Sequence, residues 1–83
     1  MWIRTQDKLG LFELNGVRIR EHGFENGTKE YLVLNNDNLY NHLGTYKSKE
    51  RALEVLDEIQ KLLIAMPRTE IPFNYIVYQM PKE

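Results

Sequence analysis

Two pairs of residues carry the clearest binding logic in this chain: Trp2 with Arg4, and Arg18 with Arg20. Each pair is spaced i, i+2, which in an extended strand puts both side chains on one face, opposite Ile3 in the first case and opposite Val17 and Ile19 in the second. An aromatic ring beside a guanidinium stacks a base and forks onto a phosphate, so these side chains predict contact with a nucleotide-derived ligand. His42 and Tyr46 join them as further contacts, because they lie on the segment entering a helix and a helix N-terminus attracts anions. The competing reading packs Trp2 in a core or an interface and has the arginines screen Glu13, Glu21 and Glu30 across a sheet.

Catalytic chemistry finds little support. Ser48 is the only serine, there is no cysteine, and no base is placed beside Ser48. His22 and His42 lack the short spacing that sets two ligands around one zinc. Glu54, Asp57 and Glu58 share a helical face and read as a solvated one rather than a hard-cation site. Gly10, Gly16, Gly23, Gly27 and Gly44 are dispersed singly, so no phosphate-cradling loop is present. The expectation is a protein that is not an enzyme, with no catalytic residue, no metal and no cofactor.

The element best defined by local chemistry is a helix from Ser48 to about Ala65. Ser48 suits the N-cap, Glu50 complements the helix dipole, and Pro67 ends the run. Ala52, Val55, Leu56, Ile59, Leu62, Leu63 and Met66 recur at steps of three and four and predict one buried stripe, with Glu54, Asp57, Glu58 and Lys61 on the other side. Before the helix the period changes to two. Met1 to Gln6, Leu9 to Leu14, Val17 to Glu21, Tyr31 to Leu34 and Leu39 to Tyr46 read as strands, and Phe73 to Met80 reads as a closing strand.

Asn26-Gly27 predicts a tight hairpin, and Asn15-Gly16 either a hairpin turn or a bulge. Asn35 to Asn38 is a turn cluster, and Pro67 to Pro72 a return loop. The order is about ββββαβ. It predicts the α+β class: a small twisted antiparallel sheet of four to five strands, with the helix on one face and the other face open.

Eighty-three residues predict a single domain, 1–83, with a thin core that self-association would supplement. The absence of cysteine fits a reducing compartment, and no apolar run reaches the roughly 18 residues of a membrane span. The start of the chain lacks the pattern of a signal peptide, so the Asn26-Gly27-Thr28 glycosylation match reads as chance. Eleven Lys and Arg against twelve Asp and Glu give a net charge of −1, so no global field draws the chain to nucleic acid.

The segments MWIRTQDK (Met1–Lys8), LGTYKSKERALEVLDEIQ (Leu43–Gln60) and YQMPKE (Tyr78–Glu83) resemble a group of small proteins encoded by Firmicutes genomes, their prophages and phages. The resemblance implies a genomic setting and an element order of N-terminal strand, capped helix and final strand. It implies no catalytic residue. By analogy with other small phage proteins, it frames two binding functions in the cytoplasm of a host bacterium. One is a sponge that sequesters a nucleotide-derived defence signal through Trp2, Arg4, Arg18, Arg20, His42 and Tyr46. The other is an inhibitor or adaptor that binds a host protein through the open sheet face. A homodimer or higher oligomer is expected in either case; membrane and nucleic-acid partners are not.

Overall fold

The computed structural model of the chain describes residues 1–35, 42–65 and 76–83. Among these the order is β1 (Trp2–Arg4), β2 (Leu11–Glu13), β3 (Val17–Gly23), β4 (Lys29–Asn35), β5 (His42–Tyr46), α1 (Lys49–Ala65) and β6 (Val77–Gln79). The class is α+β, but the single sheet expected from the sequence is replaced by two three-stranded sheets, β2-β1-β6 and β3-β4-β5. The physical reason lies in β1. It pairs antiparallel with β2 on one side, Ile3 opposite Phe12, and parallel with β6 on the other, Ile3 opposite Tyr78. With both of its edges filled, β1 leaves none for β3. The β1–β6 pair also corrects the all-antiparallel expectation, and five strands rather than four precede the helix.

Asn15-Gly16 accordingly is neither a hairpin turn nor a bulge. It is the passage from one sheet to the other, with Gly16 at φ +128°, a left-handed value that glycine takes without a side-chain clash. Asn26-Gly27 does form a hairpin. Phe24 N–H donates to Thr28 O at 2.9 Å and Gly27 N–H to Phe24 O at 3.0 Å, enclosing residues 25–27. Gly27 alone has a positive φ, +86°, so the connection is a turn followed by a left-handed glycine rather than a two-residue turn. The expected turn residues 36–38, the strand start 39–41, the return loop 67–72 and the strand start 73–75 lie outside the described residues.

The helix begins as its chemistry dictates: Ser48 Oγ accepts a hydrogen bond from Arg51 N–H at 3.1 Å. It packs on the sheet β3-β4-β5, where Ala52, Val55 and Ile59 are buried with Val33, Leu43 and Tyr46. Ile3 from the other sheet, with Met1 and Met80 beside its strands β1 and β6, completes the same core. The stripe is not buried along its whole length. Leu62 and Leu63 are 37% and 38% exposed, since the sheets cover the first three turns and not the last; Met66 lies outside the described residues. β4 is buried without interruption from Leu32 to Asn35. Leu32 and Leu34 sit on the face turned away from the helix, so that face is not open as expected along the middle strand. Among the described residues no helix is long and apolar enough to cross a membrane.

Candidate functional site

The segments Met1–Lys8, Leu43–Gln60 and Tyr78–Glu83 come together around Gln6. The loop after β1 holds that residue out. Thr5 Oγ donates to Asp7 Oδ1 at 2.6 Å and accepts from Gly10 N–H at 2.9 Å, while Asp7 Oδ1 also accepts from Leu9 N–H. These hydrogen bonds, the Thr5 hydroxyl first, hold the Asp7 carboxyl below its usual range. Gln6 then reaches β5. Its N–H donates to Leu43 O, its Oε1 accepts from Thr45 N–H at 2.8 Å, and its Nε2 donates to Thr45 O at 3.0 Å and Lys82 O at 2.7 Å. One side-chain amide thus stands in for a neighbouring strand on the outer edge of β5 and links the two sheets. Asn35 makes a second link, its Nδ2 donating to Glu13 O at 2.8 Å.

Beside this junction lies a cleft of about 290 Å³, lined by Thr45, Tyr46, Lys47, Ser48, Arg51, Lys82 and Glu83. Of the residues expected to bind, Tyr46 is the one found here. The residue is 2% exposed and its hydroxyl donates to Pro81 O at 2.8 Å. Burial pushes its pKa up to about 12. Arg51 is largely committed: Nε donates to Glu83 O at 2.7 Å and Nη1 pairs with Glu54 at 3.0 Å. Tyr78 OH donates to Glu58, and burial with that contact raises the phenol pKa. Among the described residues Lys47 and Lys82 are the cleft's uncommitted cations, and its volume falls at the lower limit of small-molecule sites.

The other expected residues stand on two different sheets. Trp2, partly buried, and Arg4, exposed, share the outer face of β1, where Glu13 and Val77 flank Trp2 and Leu11 and Gln79 flank Arg4. Arg4 Nε donates to Lys8 O at 3.0 Å. Arg18 and Arg20 share the outer face of β3, across from Leu34 and Leu32. His42 is exposed at the start of β5. The six side chains are therefore not assembled around one pocket.

Arg18 and Arg20 also do not screen acids. Among the described residues neither guanidinium makes an ion pair or hydrogen bond, and Glu21 pairs instead with Lys29 at 2.9 Å. They belong to a feature the periodicity did not show: an arm formed by the distal half of the β3–β4 hairpin. Every residue from Arg20 to Lys29 is exposed, so this part of the ribbon is backed by neither helix nor second sheet. His22 and Phe24 meet edge to face at 4.9 Å, and Phe24 is 46% exposed at the tip. The molecule measures 49 × 22 × 20 Å. A sequence signal for the arm was available in the long polar stretch REHGFENGTKE, whose one apolar side chain is Phe24.

Among the described residues no group of His, Asp or Glu is placed to hold a metal ion. No protein-family model, curated protein or solved structure matches the chain.

Proposed function

We propose that this chain is a small non-enzymatic binding protein, an inhibitor or adaptor that holds a protein partner along the β3–β4 arm, in the phage and host-cell setting implied by the resemblance. One observation carries the reading: an exposed ribbon of ten residues, 20–29, continues an edge strand whose Arg18 and Arg20 are committed to nothing else among the described residues. Ordering a two-stranded ribbon without a core behind it is unfavourable in isolation, which a partner surface would offset. A photoreactive side chain in place of Phe24 is expected to capture a partner from bacterial lysate, while the same group at Leu53 on the outer side of the helix captures none. Equal yields at the two positions, or none at either, count against the arm.

The second reading is the sponge for a nucleotide-derived signal. The cleft beside the capped helix start supports it, with Tyr46 in its wall and Lys47 and Lys82 at its rim. Native mass spectrometry against cyclic dinucleotides and ADP-ribose derivatives tests it, with Lys82→Ala expected to weaken any complex.

Self-association belongs to the same proposal. The outer face of β2-β1-β6 presents Leu11 and Val77, 50% and 54% exposed, around Trp2, with Arg4 and Glu13 close by. A twofold contact on this face buries the apolar trio and sets Arg4 of each copy toward Glu13 of the other.

A further inference from the structure

We infer that the free edge of β3 takes an extended acidic segment of a partner protein as an added strand, with its carboxylates opposite Arg18 and Arg20. This rests on the reading that the arm holds a protein partner, and it names that partner's chemistry.

The backbone supplies the first half of the argument. Phe24 N–H donates a ladder hydrogen bond to Thr28 O, and β3 and β4 keep register from there to Val17 opposite Asn35. Antiparallel ladders alternate, so His22, Arg20 and Arg18 bond to β4 while Val17, Ile19, Glu21 and Gly23 turn their N–H and C=O groups away from it. β3 is the outer strand of its sheet, and among the described residues these outward groups have no partner. Seven residues of such edge extend about 23 Å, long enough to template another strand.

The side chains select which strand. Arg18, Arg20 and His22 project from one face at intervals of about 6.7 Å. A second copy of β3 is a poor occupant. A twofold pairing centred on Arg18, Ile19 or Arg20 sets Arg18 against Arg18, Arg18 against Arg20, or Arg20 against Arg20, and like charges directly opposed are destabilising. The same row favours carboxylates at alternate positions of an incoming chain. Because Arg18 and Arg20 bond toward β4, they occupy the non-hydrogen-bonded sites facing an added antiparallel strand, where opposed Cα atoms approach to about 4.5 Å and side chains meet most closely.

The opposite face completes the pattern. Val17 and Ile19 are partly buried there, and an apolar groove of about 290 Å³ runs beside the start of β3 between Leu14, Val17, Leu56, Ile59 and Leu63. An incoming strand that alternates acid and aliphatic residues would put acids on the arginine row and aliphatics toward this groove.

The test uses the full chain, isotopically labelled, with a synthetic peptide of alternating Glu and Val. Expected are amide shifts and slowed exchange at Val17, Ile19, Glu21 and Gly23. Arg20→Glu is expected to weaken binding about tenfold, while an Arg18→Glu, Arg20→Glu double variant prefers the Lys-Val version of the peptide. Equal binding of a Gln-Val peptide overturns the acidic requirement, and binding without edge-amide protection overturns strand addition. Tighter binding of a thymidine oligonucleotide to the same arginines overturns the protein ligand in favour of phosphate. If the peptide fails while the Phe24 crosslink persists, the acidic strand falls and the arm reading stands; if both fail, both fall.

Discussion

Gln6 and Thr45 are joined by a reciprocal pair of hydrogen bonds, Thr45 N–H to Gln6 Oε1 at 2.8 Å and Gln6 Nε2 to Thr45 O at 3.0 Å. The relationship is that of two paired strands, with one side supplied by a side chain. With the bond to Lys82 O, it makes Gln6 a link between both sheets and the last residues. Gln6→Ala is expected to cost about 2 to 4 kcal/mol, since each bond contributes about 1 kcal/mol and the groups left behind are partly buried. Gln6→Glu should cost at least as much, because a carboxylate cannot donate to Thr45 O or Lys82 O. Chemical denaturation of the variants measures both.

The helix stripe divides in its energetics. Ile59 is 2% exposed and Leu63 38%, so Ile59→Ala is expected to cost about 2 to 5 kcal/mol and Leu63→Ala less than half of that. Matched urea midpoints for the two variants would contradict the helix orientation described above.

Alkaline stability follows from the tyrosines. The Tyr46 phenol has its pKa raised to about 12 by burial, above the ordinary value of 10.0. A raised pKa means the folded state holds the proton more tightly than the unfolded state does. The contribution is therefore complete below pH 10, and it declines as pH rises from 10 toward about 12. Tyr78, shifted in the same direction by burial and by Glu58, steepens the loss. Far-ultraviolet circular dichroism through this range should show unfolding, and Tyr46→Phe should make the pH dependence shallower.

Sedimentation equilibrium at micromolar concentration reads self-association. A dimer is expected, with Val77→Asp returning the chain to a monomer because it places a carboxylate beside Trp2 on the apolar face. A wild-type species of 9.9 kDa under those conditions would remove the twofold contact.

What the sequence determined by itself was local. Ser48 as cap, the helix to Ala65 and the turn at Asn26-Gly27 depend on neighbours within a few residues, and all three are found in the structure. The spacing of two likewise set Trp2 and Arg4 on the face of β1 opposite Ile3, which is buried. Tertiary structure decided the rest. The division into two sheets rests on β1 pairing with β6, Ile3 opposite Tyr78, from the far end of the chain, and strands of three residues carry too little periodicity to announce a partner. The separation of Trp2 and Arg4 from Arg18 and Arg20 follows from that division, because a spacing of two fixes which face a side chain takes but not which sheet carries it. Gln6 and Leu63 make the same point from opposite sides. A polar residue in a loop became the link between sheets, and an apolar residue on the stripe stayed exposed, because burial depends on what the rest of the chain brings alongside.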